Sequence, residues 1–124
     1  MSNRRPVNLD IATIRLPITA YASILHRISG VALFFVAAGL LWLLDTSLSS
    51  PTGFAAVREC LDGPFARFLL WGSLVALGYH FAAGIRHLVM DLGVGESLEG
   101  GRRGARWVFA ATAVLAVLAG IWLW

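Results

Sequence analysis

Five side chains in this sequence are of types that do chemistry, and they stand where apolar residues are expected. Ser23, His26 and Arg27 fall within "YASILHRISGVALFF", residues 21–35. His80 and His87 fall within "GYHFAAGIRHLVMD", residues 78–91. Both stretches are otherwise almost wholly apolar. An ionisable or strongly polar group in such a place costs free energy, so each is a functional candidate by default.

Their spacing narrows the chemistry. On a helix, Ser23 lies three residues before His26 and four before Arg27, so the three share a face. Gly30 continues that face one turn further on and removes bulk. Counted from Tyr21, Arg27 lies roughly 9 Å along the helix axis. His80 and His87 are seven apart and share a face two turns apart, with Gly84 between them. The two stretches place their costly residues at a similar depth, which implies one polar cavity in the cytoplasmic half of a bilayer. Imidazole is a common iron ligand, and His80 is the deepest histidine. If it binds a haem iron, this chain offers no second axial ligand from the opposite side. His87 shares the face of His80, and His26 is better placed for the haem edge, so the second ligand must come from another chain. Plainer roles stand beside these. His80 can hydrogen-bond a neighbouring helix, Arg27 can snorkel to lipid phosphates, Ser23 can bond its own backbone, and His87 can be an interfacial residue.

The elements that must position these groups are three membrane helices. The chain has 124 residues, 58% hydrophobic and only 14% charged, against about a quarter charged in a soluble domain. Spans are expected near residues 21–44, 65–87 and 107–124, each close to the ~20 residues that cross the hydrocarbon core. The fold class is therefore an all-α membrane protein with three transmembrane helices. Residues 1–124 form one domain. Arginines 4, 5 and 15 mark the N-terminal flank and arginines 86, 102, 103 and 106 the second loop, whereas the first loop holds Arg58 among acidic residues. The positive-inside rule then places the N-terminus and second loop in the cytoplasm, and the first loop and C-terminus on the periplasmic side. Trp42, Trp122 and Trp124 suit an outer aromatic belt and Trp107 an inner one.

The connecting segments are short. "RPVNLDIATIRLPIT" is bracketed by Pro6 and Pro17 and is expected along the cytoplasmic surface, with the first helix starting near Pro17. The first loop has room for one short helix. The second, "DLGVGESLEGGRRGAR", reads as irregular. No h-region follows the first arginines, so no cleavable signal peptide is expected, and no soluble domain is expected after the third span. Thr112, Ala116 and Gly120 form a small-residue stripe suited to helix packing. All ten basic residues are arginines, in no nucleic-acid-binding motif, and the single cysteine, Cys60, excludes an intrachain disulfide.

Two longer stretches carry a resemblance. "RPVNLDIATIRLPITAYASILHRISGVALFF" and "YHFAAGIRHLVMDLG", with its H-x3-G-x-R-H-x3-D pattern, resemble the two signatures of the cytochrome b subunit of bacterial succinate dehydrogenase, the larger of its two membrane anchors. "LLDTSLSSPTGF" and the third span also fit, so the resemblance covers essentially the whole chain. It implies a subunit of a heterotetrameric succinate:ubiquinone oxidoreductase of the bacterial inner membrane, respiratory complex II. The implied partners are a flavoprotein subunit, an iron–sulfur subunit and a small hydrophobic anchor subunit, in a heteromeric helix bundle compatible with a higher oligomer. Carried over by position, His80 matches the axial ligand of haem b, with the second axial histidine from the small anchor. Ser23 and Arg27 match quinone-site residues. His26 matches a residue beside the haem propionates and quinone pocket, Arg27 can also pair with a propionate, and His87 belongs to the motif near the propionates. Ubiquinone is the implied substrate, and this subunit is not catalytic alone. A serine hydroxyl can bond one quinone oxygen, and an arginine can stabilise charge developing there.

The nearest alternative is the anchor of a fumarate reductase, which shares the architecture. A small multidrug transporter would rely on a membrane-embedded carboxylate, and none of the expected spans contains Asp or Glu. A cofactor-free structural anchor would leave His80 without a purpose.

Overall fold

The structure, a computed structural model, describes residues 7–10 and 12–124. Arg4, Arg5 and Pro6 of the N-terminal arginine flank lie outside the described residues. Four helices follow one another: α1 (Ile18–Ser49), α2 (Pro51–Asp62), α3 (Pro64–Asp91) and α4 (Leu98–Leu123). Helices α1, α3 and α4 are long and apolar enough to cross a membrane.

Proline and serine set the boundaries. Pro17 precedes α1 in an extended conformation, and its carbonyl accepts from the amides of Ala20 and Tyr21. At the other end Pro51 forces Ser50 into extended backbone, with φ −167° and ψ 160°. Pro51 then occupies the first turn of α2, where its missing N–H costs nothing. The Ser50 hydroxyl accepts from the amide of Gly53 at 2.9 Å and caps that helix. Pro64 opens α3 in the same way. Gly93 and Gly95, at φ +80° and +76°, turn the chain after α3 into a left-handed conformation that favours glycine.

The segment expected to be irregular before the third span is only partly so. Helix α4 begins at Leu98, so Arg102, Arg103 and Arg106 sit on its first turns. The Ser97 hydroxyl accepts from the amide of Gly100 at 3.0 Å, and Glu99 lies in the positive first turn and pairs with Arg103 at 3.4 Å. Glycines 101 and 104, which read as loop residues, allow close helix contact instead. A Cβ on Gly101 would lie 3.6 Å from Thr19 Cγ2, and one on Gly104 would lie 3.3 Å from Arg86 Nε. In the first loop, likewise, α1 runs on to Ser49 and α2 fills most of the remainder.

Helix α3 packs against both α1 and α4. The buried positions are mainly small: Ala22, Ala83 and Ala105 are at most 1% exposed, with Tyr79 and Val108 beside them. Lipid offers little hydrophobic drive for helices to associate, so close backbone approach and interhelical hydrogen bonds carry the packing. Besides His80, described below, three α3 side chains donate to backbone carbonyls of their neighbours. Trp71 Nε1 reaches Ala116 O at 2.8 Å, Tyr79 Oη reaches Ala22 O at 2.7 Å, and Arg86 Nη2 reaches Gly101 O at 3.3 Å. Trp71 also lies against Gly120, so two members of the small-residue stripe face it. Most large apolar side chains of the spans, such as Phe34, Phe35, Trp42 and Leu118, remain exposed, ready for lipid or partner helices.

Candidate functional site

Tyr79 fixes α3 against the N-terminal end of α1 through its bond to the Ala22 carbonyl. One residue later, His80 enters the α1–α3 interface. Its Nδ1 lies 3.0 Å from Ser29 Oγ and 3.2 Å from the carbonyl oxygen of His26. Ser29 is itself only 7% exposed and donates its hydroxyl proton to the same His26 carbonyl at 2.8 Å. Gly30 lets the imidazole sit this close, because a Cβ there would stand 3.1 Å from His80 Cε1.

The three histidines of the chain form one column. The His26 ring stacks on His80 with centroids 4.2 Å apart and planes at 16°, and it meets His87 at 5.0 Å and 45°. His26, from α1, thus lies between two histidines of α3. Gly84 makes the space: a Cβ there would touch His26 Nε2 at 3.6 Å. The clearance at Gly84 therefore admits the His26 ring itself. His26 Nε2 is buried and without a hydrogen-bond partner among the described residues.

The expected residues fare differently. His80, His26 and His87 come together. Ser23 is half-buried and Arg27 exposed on the same helix as His26, and neither makes a side-chain hydrogen bond among the described residues. Three participants were not assigned from sequence. Ser29 lies three residues after His26, so helical spacing from the histidine was the available signal. Tyr79 adjoins His80, and nothing in its spacing points to a carbonyl on another helix. Arg86, counted with the second loop, belongs to α3. Its Nε is buried without a partner among the described residues, and its Nη2 bonds α4.

The donor set suits a haem better than a bare metal ion. Among the described residues, no three His, Cys, Asp or Glu side chains could hold a metal ion together. The stacked rings lie face to face, so their nitrogens do not converge. Both hydrogen bonds of His80 pass through Nδ1, which leaves Nε2 as its available ligand atom.

Comparison with known proteins bears on the same stretches. The family model described as "Succinate dehydrogenase/Fumarate reductase transmembrane subunit" matches residues 1–119. The chain belongs to this family. It is similar to the succinate dehydrogenase cytochrome b556 subunit of Coxiella burnetii, at 40% identity over 125 residues covering 100% of both chains. The subunit of the same name from Paracoccus denitrificans is 36% identical over 114 residues, 92% of this chain and 88% of its own. That from Rickettsia typhi is 36% identical over 97 residues, 78% of this chain and 75% of its own. With three helices able to span a bilayer, this member of the family is a multi-pass membrane subunit of an enzyme complex.

Proposed function

We propose that the chain is the haem b-ligating and ubiquinone-binding anchor of a succinate:ubiquinone oxidoreductase in the bacterial inner membrane. The observation that carries this reading is His80: its Nδ1 is held by α1 and its Nε2 is left available at the helix interface. The name cytochrome b556 subunit, borne by the relatives, supports a b-type haem.

When bound, haem b would supply one-electron redox chemistry. His80 would hold it through Nε2, since α1 engages its Nδ1. The His26 ring lies stacked 4.2 Å from His80 at 16°, with His87 beyond it. The small anchor subunit would supply a further histidine to hold the group. His26 and His87 lie beside His80 and would line the side of the propionates and quinone pocket. Ser23 and Arg27 bind the quinone. The serine hydroxyl donates to one carbonyl oxygen, and the guanidinium stabilises the negative charge that develops there. Arg27 also suits a propionate.

The N-terminus and the α3–α4 turn face the cytoplasm, where the iron–sulfur subunit docks and passes on electrons taken from succinate by the flavoprotein. The arginines on the first turns of α4 supply the positive-inside surface and a docking face for that partner. The family also contains fumarate reductase anchors, and the direction of turnover separates the two readings.

Membranes containing the chain with its three partners test the proposal. Succinate should reduce a b-type absorption band, and succinate-dependent ubiquinone reduction should accompany it. A complex that reduces ubiquinone yet contains no haem would overturn the haem assignment.

A further inference from the structure

We propose that Ser29 is a positioning residue, one that accepts from the His80 Nδ1–H alongside the His26 carbonyl, holds the ring plane and so tunes the iron from outside its coordination shell. This rests on the reading of His80 as a haem ligand. A backbone carbonyl can only accept a hydrogen bond. With the His26 carbonyl at 3.2 Å from His80 Nδ1, that nitrogen must be the one that carries the proton. Ser29 has already committed its own proton to the same carbonyl, at 2.8 Å. Its oxygen therefore turns lone pairs toward Nδ1 at 3.0 Å and accepts. One N–H is shared between a hydroxyl and a carbonyl oxygen, and the lone pair of the neutral ring is placed on Nε2.

Two further contacts hold the ring in that plane. The His26 imidazole covers one face at 4.2 Å. Gly30 leaves clearance at Cε1 and little more, since a Cβ would stand 3.1 Å away. Ser29 is thus the polar side chain of a cradle that is completed by the His26 carbonyl and by steric contacts.

An acceptor on the distal N–H of a ligating histidine raises the basicity of the ligand. A more basic ligand favours the oxidised iron. Removing the Ser29 oxygen leaves the His26 carbonyl as the single acceptor on that N–H, at the longer 3.2 Å, and should therefore weaken haem retention and raise the midpoint potential.

The test uses the complete complex carrying Ser29→Ala, Ser29→Cys or Ser29→Thr, with haem content and redox titration as readouts. Alanine should raise the midpoint and loosen haem roughly tenfold, the low end of the usual cost of losing such a partner. Cysteine, a weak acceptor of similar size, should shift the midpoint in the same direction. Threonine keeps the hydroxyl and should restore wild-type behaviour. If the alanine variant does not assemble, cysteine against threonine carries the comparison. An unchanged midpoint in both alanine and cysteine variants, or a threonine variant shifted as far as they are, would overturn the role of Ser29. The parallel His80→Ala variant keeps the two readings apart. If it holds haem with a wild-type spectrum, the ligand assignment itself has failed.

Discussion

Replacing Gly30 with alanine sets helix stability against site geometry. The new Cβ would lie 3.1 Å from His80 Cε1 and 3.7 Å from His80 Nδ1. Carbon atoms settle at about 3.5–4.0 Å, so the imidazole must retreat by roughly 0.4 Å or more. Overpacking of this kind costs about 1–3 kcal/mol. Against it, alanine is favoured over glycine in a helix interior by about 1 kcal/mol. The net effect on folding is then small, about 0–2 kcal/mol destabilising. The displacement falls on a ring whose Nε2 is the proposed iron ligand, and it consumes most of the roughly 0.5 Å within which such a group must be held. Gly84→Ala is the internal control, because its Cβ would meet His26 Nε2 at 3.6 Å, an ordinary contact. The assay is haem content and reduced-minus-oxidised spectra of the two variant complexes at matched assembly. Gly30→Ala should shift the band and lower haem content severalfold, while Gly84→Ala stays near wild type. Equal behaviour of the two variants would refute the argument that clearance at Gly30 seats His80.

Other substitutions read other parts of the structure. Ser23→Ala and Arg27→Ala should each slow quinone reduction at least tenfold, on the order of the loss of one charge-stabilising donor. Succinate oxidation by a soluble artificial acceptor should stay near wild type, whereas loss of both activities together would point to failed assembly. Tyr79→Phe deletes the bond to the Ala22 carbonyl and should cost about 1 kcal/mol, within the range for interhelical bonds in membranes. Thermal unfolding of the complex checks it, and an unchanged midpoint would deny that bond a stabilising role. Gly104→Leu should displace Arg86, whose Nε lies 3.3 Å from the Cβ position, at a cost of about 1–3 kcal/mol. That too is read by thermal unfolding, and full wild-type stability would show that α3 and α4 do not depend on this contact.

Much of this was legible in the sequence. A bilayer demands long apolar helices, so composition and length alone reveal three candidates for spans. Counting residues from the span ends then puts the Ser23–Arg27 group and His80 at similar depth. Which rings meet is set by the rotation and offset of α1 against α3, and no single-helix pattern carries that. So the insertion of His26 over Gly84, between His80 and His87, emerges only in three dimensions. Ser29 was hidden for the same reason, its partner being 51 positions away on another helix. The early start of α4 was missed because glycine reads as a loop signal when its neighbours are unknown. Here Gly101 and Gly104 serve contact with Thr19 and Arg86. Arg86 read as a loop charge because the sequence pattern cannot show that its guanidinium reaches a carbonyl of α4.

The most direct test is a reduced-minus-oxidised spectrum of membranes expressing the chain with its three partners, beside membranes carrying His80→Ala in the same background. A sharp b-type band in the first, lost or shifted in the second, is the predicted result. A wild-type band that persists unchanged without the His80 imidazole would contradict it.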